Sequence, residues 1–128
     1  MYPKGIIAVL FALALTACAT SPTETVSSFV HGKGAAALAA GVQQFENGQY
    51  TDAAKTLQTA LDLGLNYGND RAKAHKYLAF MHCASNRLTQ CREQFNRALE
   101  ASPQLELEPS EVGHPVWGPA FKQVKAKR

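Results

Sequence analysis

The sequence predicts an all-α fold of two helical hairpins and a C-terminal capping helix. Three observations carry that expectation. Apolar residues recur at helical spacing from Ala35 onward, the pattern repeats after 38 residues, and Trp117, Phe121 and Val124 form a final helical stripe. The 128 residues carry 13 Lys and Arg against 10 Asp and Glu, a formal charge of +3. That length allows one modest domain, and so small an imbalance argues against a dedicated nucleic-acid binder.

Residues 1–17 read as an export signal. Met1-Tyr2-Pro3-Lys4 supplies a lysine, and Gly5 to Leu15 is an almost unbroken apolar run. This run suits a secretory h-region and is shorter than the ~18 residues that a membrane-spanning helix needs. Leu15-Thr16-Ala17-Cys18 follows and resembles the lipobox of bacterial lipoproteins: a branched apolar residue, two small ones and a cysteine. Small residues let the chain enter the peptidase cleft, and the Cys18 thiol is the group that diacylglycerol alkylates. An Ala-x-Ala-type cleavage site with an incidental cysteine is the other reading. Lipidation would anchor the chain stably, at about 0.8 kcal/mol per buried CH₂. Ala19 stands where an Asp would favour the inner membrane, so the lipobox resemblance implies the outer membrane, with the protein facing the periplasm.

Residues 18–34 are expected to be a flexible tether. They are rich in Ser, Thr, Pro and Gly, and as a coil they reach about 20 Å. The helical domain then spans 35–128. A first, alanine-rich segment runs over 35–47 and stops at the Asn47-Gly48 turn signal. A second covers 51–63, with Thr51 as N-cap and Ala53, Leu57, Ala60 and Leu61 on one face. A glycine- and asparagine-rich loop leads to a third segment, 70–84, and a fourth, 89–101, which Ser102-Pro103 ends.

Shifting the chain by 38 residues lays Thr51, Ala60 and Leu61 on Thr89, Ala98 and Leu99, and Ala53 on Cys91. The pattern resembles a decayed tetratricopeptide repeat. In the first hairpin it reads Ala37, Ala40-Gly41, Gln44, Ala53, Leu57 and Ala60. In the second it reads His75, Leu78-Ala79, His82, Cys91, Phe95, Ala98 and Pro103. Gly41, Ala53, Ala79 and Cys91 would then sit where helices cross closely. A generic four- or five-helix bundle is the competing reading. Stacked hairpins need a cap. The tail offers one, with Pro115 suited to a first helical turn and Trp117 placed to cover the second hairpin.

Candidate chemistry is sparse. His31 lies in the tether, His114 precedes a proline, and His75 and His82 share one face of the third helix as packing residues. A His82/Cys83/Cys91 zinc site lacks a fourth ligand and a tight C-x₂-C pair. No nucleophile elbow, zinc-protease motif or phosphate loop is present, so no catalytic residue, metal, cofactor or small-molecule substrate is expected. The basic tail Lys122, Lys125, Lys127 and Arg128 reads as the solvated side of a terminal helix. An oxidising periplasm predicts a Cys83–Cys91 disulfide, since the two flank Arg87 symmetrically on antiparallel helices, with two free thiols as the alternative because Cys91 also fits a plain close-packing site. By carry-over from the tetratricopeptide pattern, Leu38, Val42, Phe45, Lys76 and Phe80 would line a concave groove for a protein partner. Self-burial by the tether around Phe29 or the tail around Trp117 competes for that groove.

Two stretches extend the resemblance. Lys76-Tyr77-Leu78-Ala79-Phe80-Met81-His82-Cys83-Ala84-Ser85 with Cys91-Arg92-Glu93-Gln94-Phe95, and Gly113-His114-Pro115-Val116-Trp117-Gly118-Pro119, together with the lipobox, look like the TssQ family of type VI secretion-associated lipoproteins. The resemblance covers about residues 35–121. It implies a non-enzymatic adaptor that helps assemble a secretion complex through a subunit of that complex. A pilotin-like or envelope-assembly repeat lipoprotein for another secretion, pilus or outer-membrane complex is the alternative.

Overall fold

The computed structural model describes residues 22–128, with side chains from residue 32 onward. The helices are α1 (Pro22–Glu46), α2 (Tyr50–Leu63), α3 (Gly68–Ala84), α4 (Leu88–Ala101), α5 (Pro109–Val112) and α6 (Trp117–Ala126). There is no strand among the described residues, so the class is all-α. The signal segment, Cys18 and the first residues of the expected tether lie outside the described residues.

The rest of that tether is a correction, because α1 is helical from Pro22 rather than from Ala35. The sequence holds the reason. Ser21-Pro22-Thr23-Glu24 has the form of a capping box with proline at the first helical position, and no further proline intervenes before Glu46. Gly32 and Gly34 weaken a helix by about 1 kcal/mol each relative to alanine, which does not end it. Elsewhere the boundaries move by one or two residues. Gln49, not Thr51, occupies the N-cap of α2. Pro115 lies in the turn ahead of α6 rather than in its first turn.

Left-handed residues turn the chain: Gly48 has φ 77° and Gly64 has φ 93°. Helix α1 packs on α2, and α3 on α4. Close approaches set their direction. A Cβ at Gly34 would lie 2.2 Å from the Gly64 carbonyl oxygen, and one at Gly41 would lie 2.7 Å from Leu57 Cγ. Likewise Gly68 abuts the Ala101 carbonyl, His75 meets Gln94, and Cys83 joins Cys91. Rising numbers on one helix meet falling numbers on its partner, so each pair is antiparallel.

The core forms two clusters. Leu38, Leu57, Leu65, Leu78 and Met81 fill the space among α1, α2 and α3. Phe80, Phe95, Leu99, Phe121 and Val124 fill that among α3, α4 and α6. Three pairs of the 38-residue register share their burial, since Ala53 and Cys91, Leu57 and Phe95, and Ala60 and Ala98 are all 0 % exposed, whereas Leu61 is half-buried and Leu99 buried. Helix α6 runs alongside α4 in the same direction, since Phe121 meets Phe95 and Arg128 reaches Glu100.

Candidate functional site beneath the C-terminal segment

Of the groove expected from Leu38, Val42, Phe45, Lys76 and Phe80, the structure buries Leu38, Lys76 and Phe80 and leaves Val42 and Phe45 partly exposed. Leu38 is buried among α1, α2 and α3, with Val42 half-buried beside it. Phe45 packs edge-on against Tyr77, 5.0 Å between centroids, and lies near Phe80. Lys76 is 5 % exposed and Phe80 1 %. Of the two candidates for self-burial, the tail around Trp117 covers Lys76 and Phe80. An aromatic wall of this size favours the largest apolar ring in the chain over water.

The covering is built on Glu111. Lys76 Nζ donates to both its carboxylate oxygens, at 2.8 and 2.9 Å. The same carboxylate accepts the Glu108 backbone N–H, completing a capping box on α5. Its backbone carbonyl accepts Trp117 Nε1–H at 2.9 Å. Trp117 in turn stacks on Phe80 at 4.4 Å, and His114 stacks on the other side of Trp117 at 3.3 Å. His114 Nδ1 also accepts the Val116 backbone N–H, holding the turn into α6. Sequence reasoning placed Trp117 over the second hairpin but missed Glu111 and His114. The available signal was Glu108-Pro109-Ser110-Glu111, a capping spacing with proline at the first helical position.

Electrostatics follow burial. The Lys76 ammonium also sits 5.1 Å from the Tyr77 ring centroid. Burial first, then the charges of Glu111, Glu46 and Glu108, pushes the Tyr77 hydroxyl up to about 12. Burial pulls His75 below its ordinary value, against the opposing effect of the hydrogen bond that its Nδ1–H donates to Gln94 Oε1 at 2.8 Å. His82 is lowered by burial and by Arg87, whose Nε donates to its Nδ1 at 3.0 Å.

Cys83 and Cys91 are disulfide-bonded, with Cα atoms 5.1 Å apart. The bond removes both thiols from the zinc constellation, and His82 is turned to Arg87. No group of three or more His, Cys, Asp and Glu is placed to hold a metal ion among the described residues. Comparison with family models, curated proteins and solved structures finds no match to this chain.

Proposed function

We propose that the protein is a lipid-anchored, non-enzymatic adaptor of the bacterial envelope, built on tetratricopeptide-like hairpins and serving type VI secretion assembly. The observation that carries this reading is the Cys83–Cys91 disulfide, two cysteines 2 % and 0 % exposed joined across α3 and α4. Such a bond fits folding in an oxidising compartment, which is where a lipobox at Leu15–Cys18 would deliver the chain. The link to type VI secretion rests on the TssQ resemblance. An outer-membrane anchor facing the periplasm follows from Ala19 under the same reading.

The anchor would also orient the body. Helix α1 meets α2 from Gly34 onward, beside Gly64, so that end of the pair would lie on the side of the anchor. Residues 64–67 and 102–106 then face the membrane, and the turns at 47–49 and 85–87 face away from it.

The test is genetic and biochemical, in cells carrying the secretion genes. Deletion should remove the secreted tube protein from the medium, wild type should restore it, and Cys18→Ser should fail to restore it while losing labelled palmitate. Unchanged secretion on deletion would refute the type VI assignment. Label persisting in Cys18→Ser would refute the anchor.

A further inference from the structure

The chain has a second, open apolar feature that the covered groove does not absorb. A cleft of about 680 Å³ runs between residues 106–112 and the outer side of α6. Leu107, Gly118 and Phe121 are its buried lining, and Glu106, Val112 and Lys122 are exposed along it. Gly118 lets α6 approach residue 112 closely, since a Cβ there would strike the Val112 carbonyl oxygen at 2.5 Å.

Two observations decide what would fill it. The first is shape. Its volume lies within the range of ligand sites, about 300–1,000 Å³, but those sites bury most of a small molecule. Here Val112 is 60 % exposed and Lys122 is exposed, so the cleft is a trough open along one side. A trough beside a helix accepts another helix laid along it. The second is charge. Residues 113–128 contain no Asp or Glu but hold Lys122, Lys125, Lys127 and Arg128. Lys125 is held by Glu106 and the Leu105 carbonyl, and Arg128 faces Glu100. Lys122 has no ion-pair partner among the described residues, which leaves an uncompensated cation at the rim. The terminal element of a helical stack ordinarily turns a polar face outward. This one leaves an apolar trough with a basic edge.

We propose that this cleft binds an amphipathic helix of a partner protein, its apolar face on Leu107, Val112 and Phe121 and its acidic side chains against Lys122. The proposal deepens the adaptor reading by naming the docking face and the chemistry of its partner. It does not depend on which secretion complex is served.

The probe is a synthetic helical peptide of Leu and Glu, with a Leu/Lys peptide of the same pattern as control. Both are titrated into the intact isotope-labelled protein in neutral detergent micelles and read by backbone amide shifts. The Leu/Glu peptide should shift amides of 106–112 and 117–126, and the Leu/Lys peptide should not. Lys122→Glu should weaken Leu/Glu binding about tenfold and confer binding of Leu/Lys, a swap that a fold defect cannot produce. Val112→Glu should weaken Leu/Glu binding about as much while the remaining amide spectrum stays native. Equal binding of the two peptides, shifts elsewhere or no shifts would overturn the proposal. So would the same shifts produced by phosphatidylglycerol but not by the peptide, which would assign the face to a lipid surface. Shifts that grow on concentrating the protein alone would assign it to a second copy. None of these outcomes bears on palmitate incorporation or on tube-protein secretion, so the anchor and secretion readings stand or fall separately.

Discussion

Lys76 Nζ lies 2.8 Å from Glu111 Oε1 with the two side chains only 6 % and 12 % exposed, tying the middle of α3 to α5. The partners are 35 residues apart in sequence, so the contact is purely tertiary. Removing one member leaves the other buried and uncompensated, which costs about 3–5 kcal/mol, whereas replacing both with apolar residues is often nearly neutral. Lys76→Met should therefore destabilise strongly, and Lys76→Met with Glu111→Leu should recover part of the loss. Recovery stays partial because Glu111 also accepts the Glu108 N–H. Urea unfolding of the four proteins in the cycle measures this. A double variant no more stable than Lys76→Met would show that the pair is not acting as a buried ion pair.

Trp117 separates packing from hydrogen bonding. Trp117→Phe keeps a ring on Phe80 but loses the bond to the Glu111 carbonyl, a loss of about 1 kcal/mol. Trp117→Ala also uncovers Phe80 and should cost about 3 kcal/mol. Equal losses in thermal unfolding would argue that the stack contributes nothing. Since Trp117 is the one tryptophan, its fluorescence in the wild type reports directly on the C-terminal covering.

Much of this fold was legible because helical periodicity is local. Ala53, Leu57 and Ala60 declare one buried face of α2, and their counterparts at Cys91, Phe95 and Ala98 declare the same for α4. A repeat pattern fixes which residues share a helix face but not whether that face is exposed. Phe45, Lys76 and Phe80 do lie together, but whether that face meets water depends on where Glu111 and Trp117 fold back. No spacing within 35–101 encodes that return. The start of α1 was missed for another reason: a serine-, threonine- and glycine-rich composition outweighed the capping signature at Ser21–Glu24.

Acidity should destabilise the chain through its third helix. Burial lowers the pKa of His75 and of His82 in the folded state, while the unfolded chain titrates near 6.5. Between the lowered values and 6.5 the unfolded chain holds more protons, so stability is full above this window and falls as pH drops through it. Both rings are half-buried, which keeps the effect modest. Melting temperatures followed from about pH 7.5 to about pH 5 should decline, and His75→Gln with His82→Gln should flatten that decline. An unchanged slope in the double variant would place the pH sensitivity elsewhere.

The disulfide closes a short loop, with Cys83 and Cys91 eight positions apart. Chain-entropy arguments for a loop of this size give about 2.5 kcal/mol of stabilisation. Cys83→Ala with Cys91→Ala should lower stability by about that amount, without placing a hydroxyl in an apolar core. Mass spectrometry of unreduced protein from the periplasm should show the two peptides linked. Two alkylatable thiols in that sample would remove the main support for an oxidising compartment.

Glycines in α1 test the length of that helix and its packing at once. Alanine at an unobstructed helical glycine gains about 0.5–1 kcal/mol by restricting the unfolded chain and improving propensity. At Gly32 nothing lies within 4 Å of an added Cβ, so Gly32→Ala should raise both helicity and stability. At Gly34 the same atom would sit 2.2 Å from the Gly64 carbonyl oxygen and 3.4 Å from that of Ala60. These are backbone atoms at the end of α2 and cannot rotate aside. Gly34→Ala must therefore push α1 away from α2, and overpacking of this kind costs about 1–3 kcal/mol, more than the propensity gain. The two substitutions, two positions apart in one helix, should thus have opposite signs in circular dichroism and urea unfolding. Were residues 18–34 a flexible tether, neither change would alter stability, so a null result at both positions would restore the shorter helix starting at Ala35.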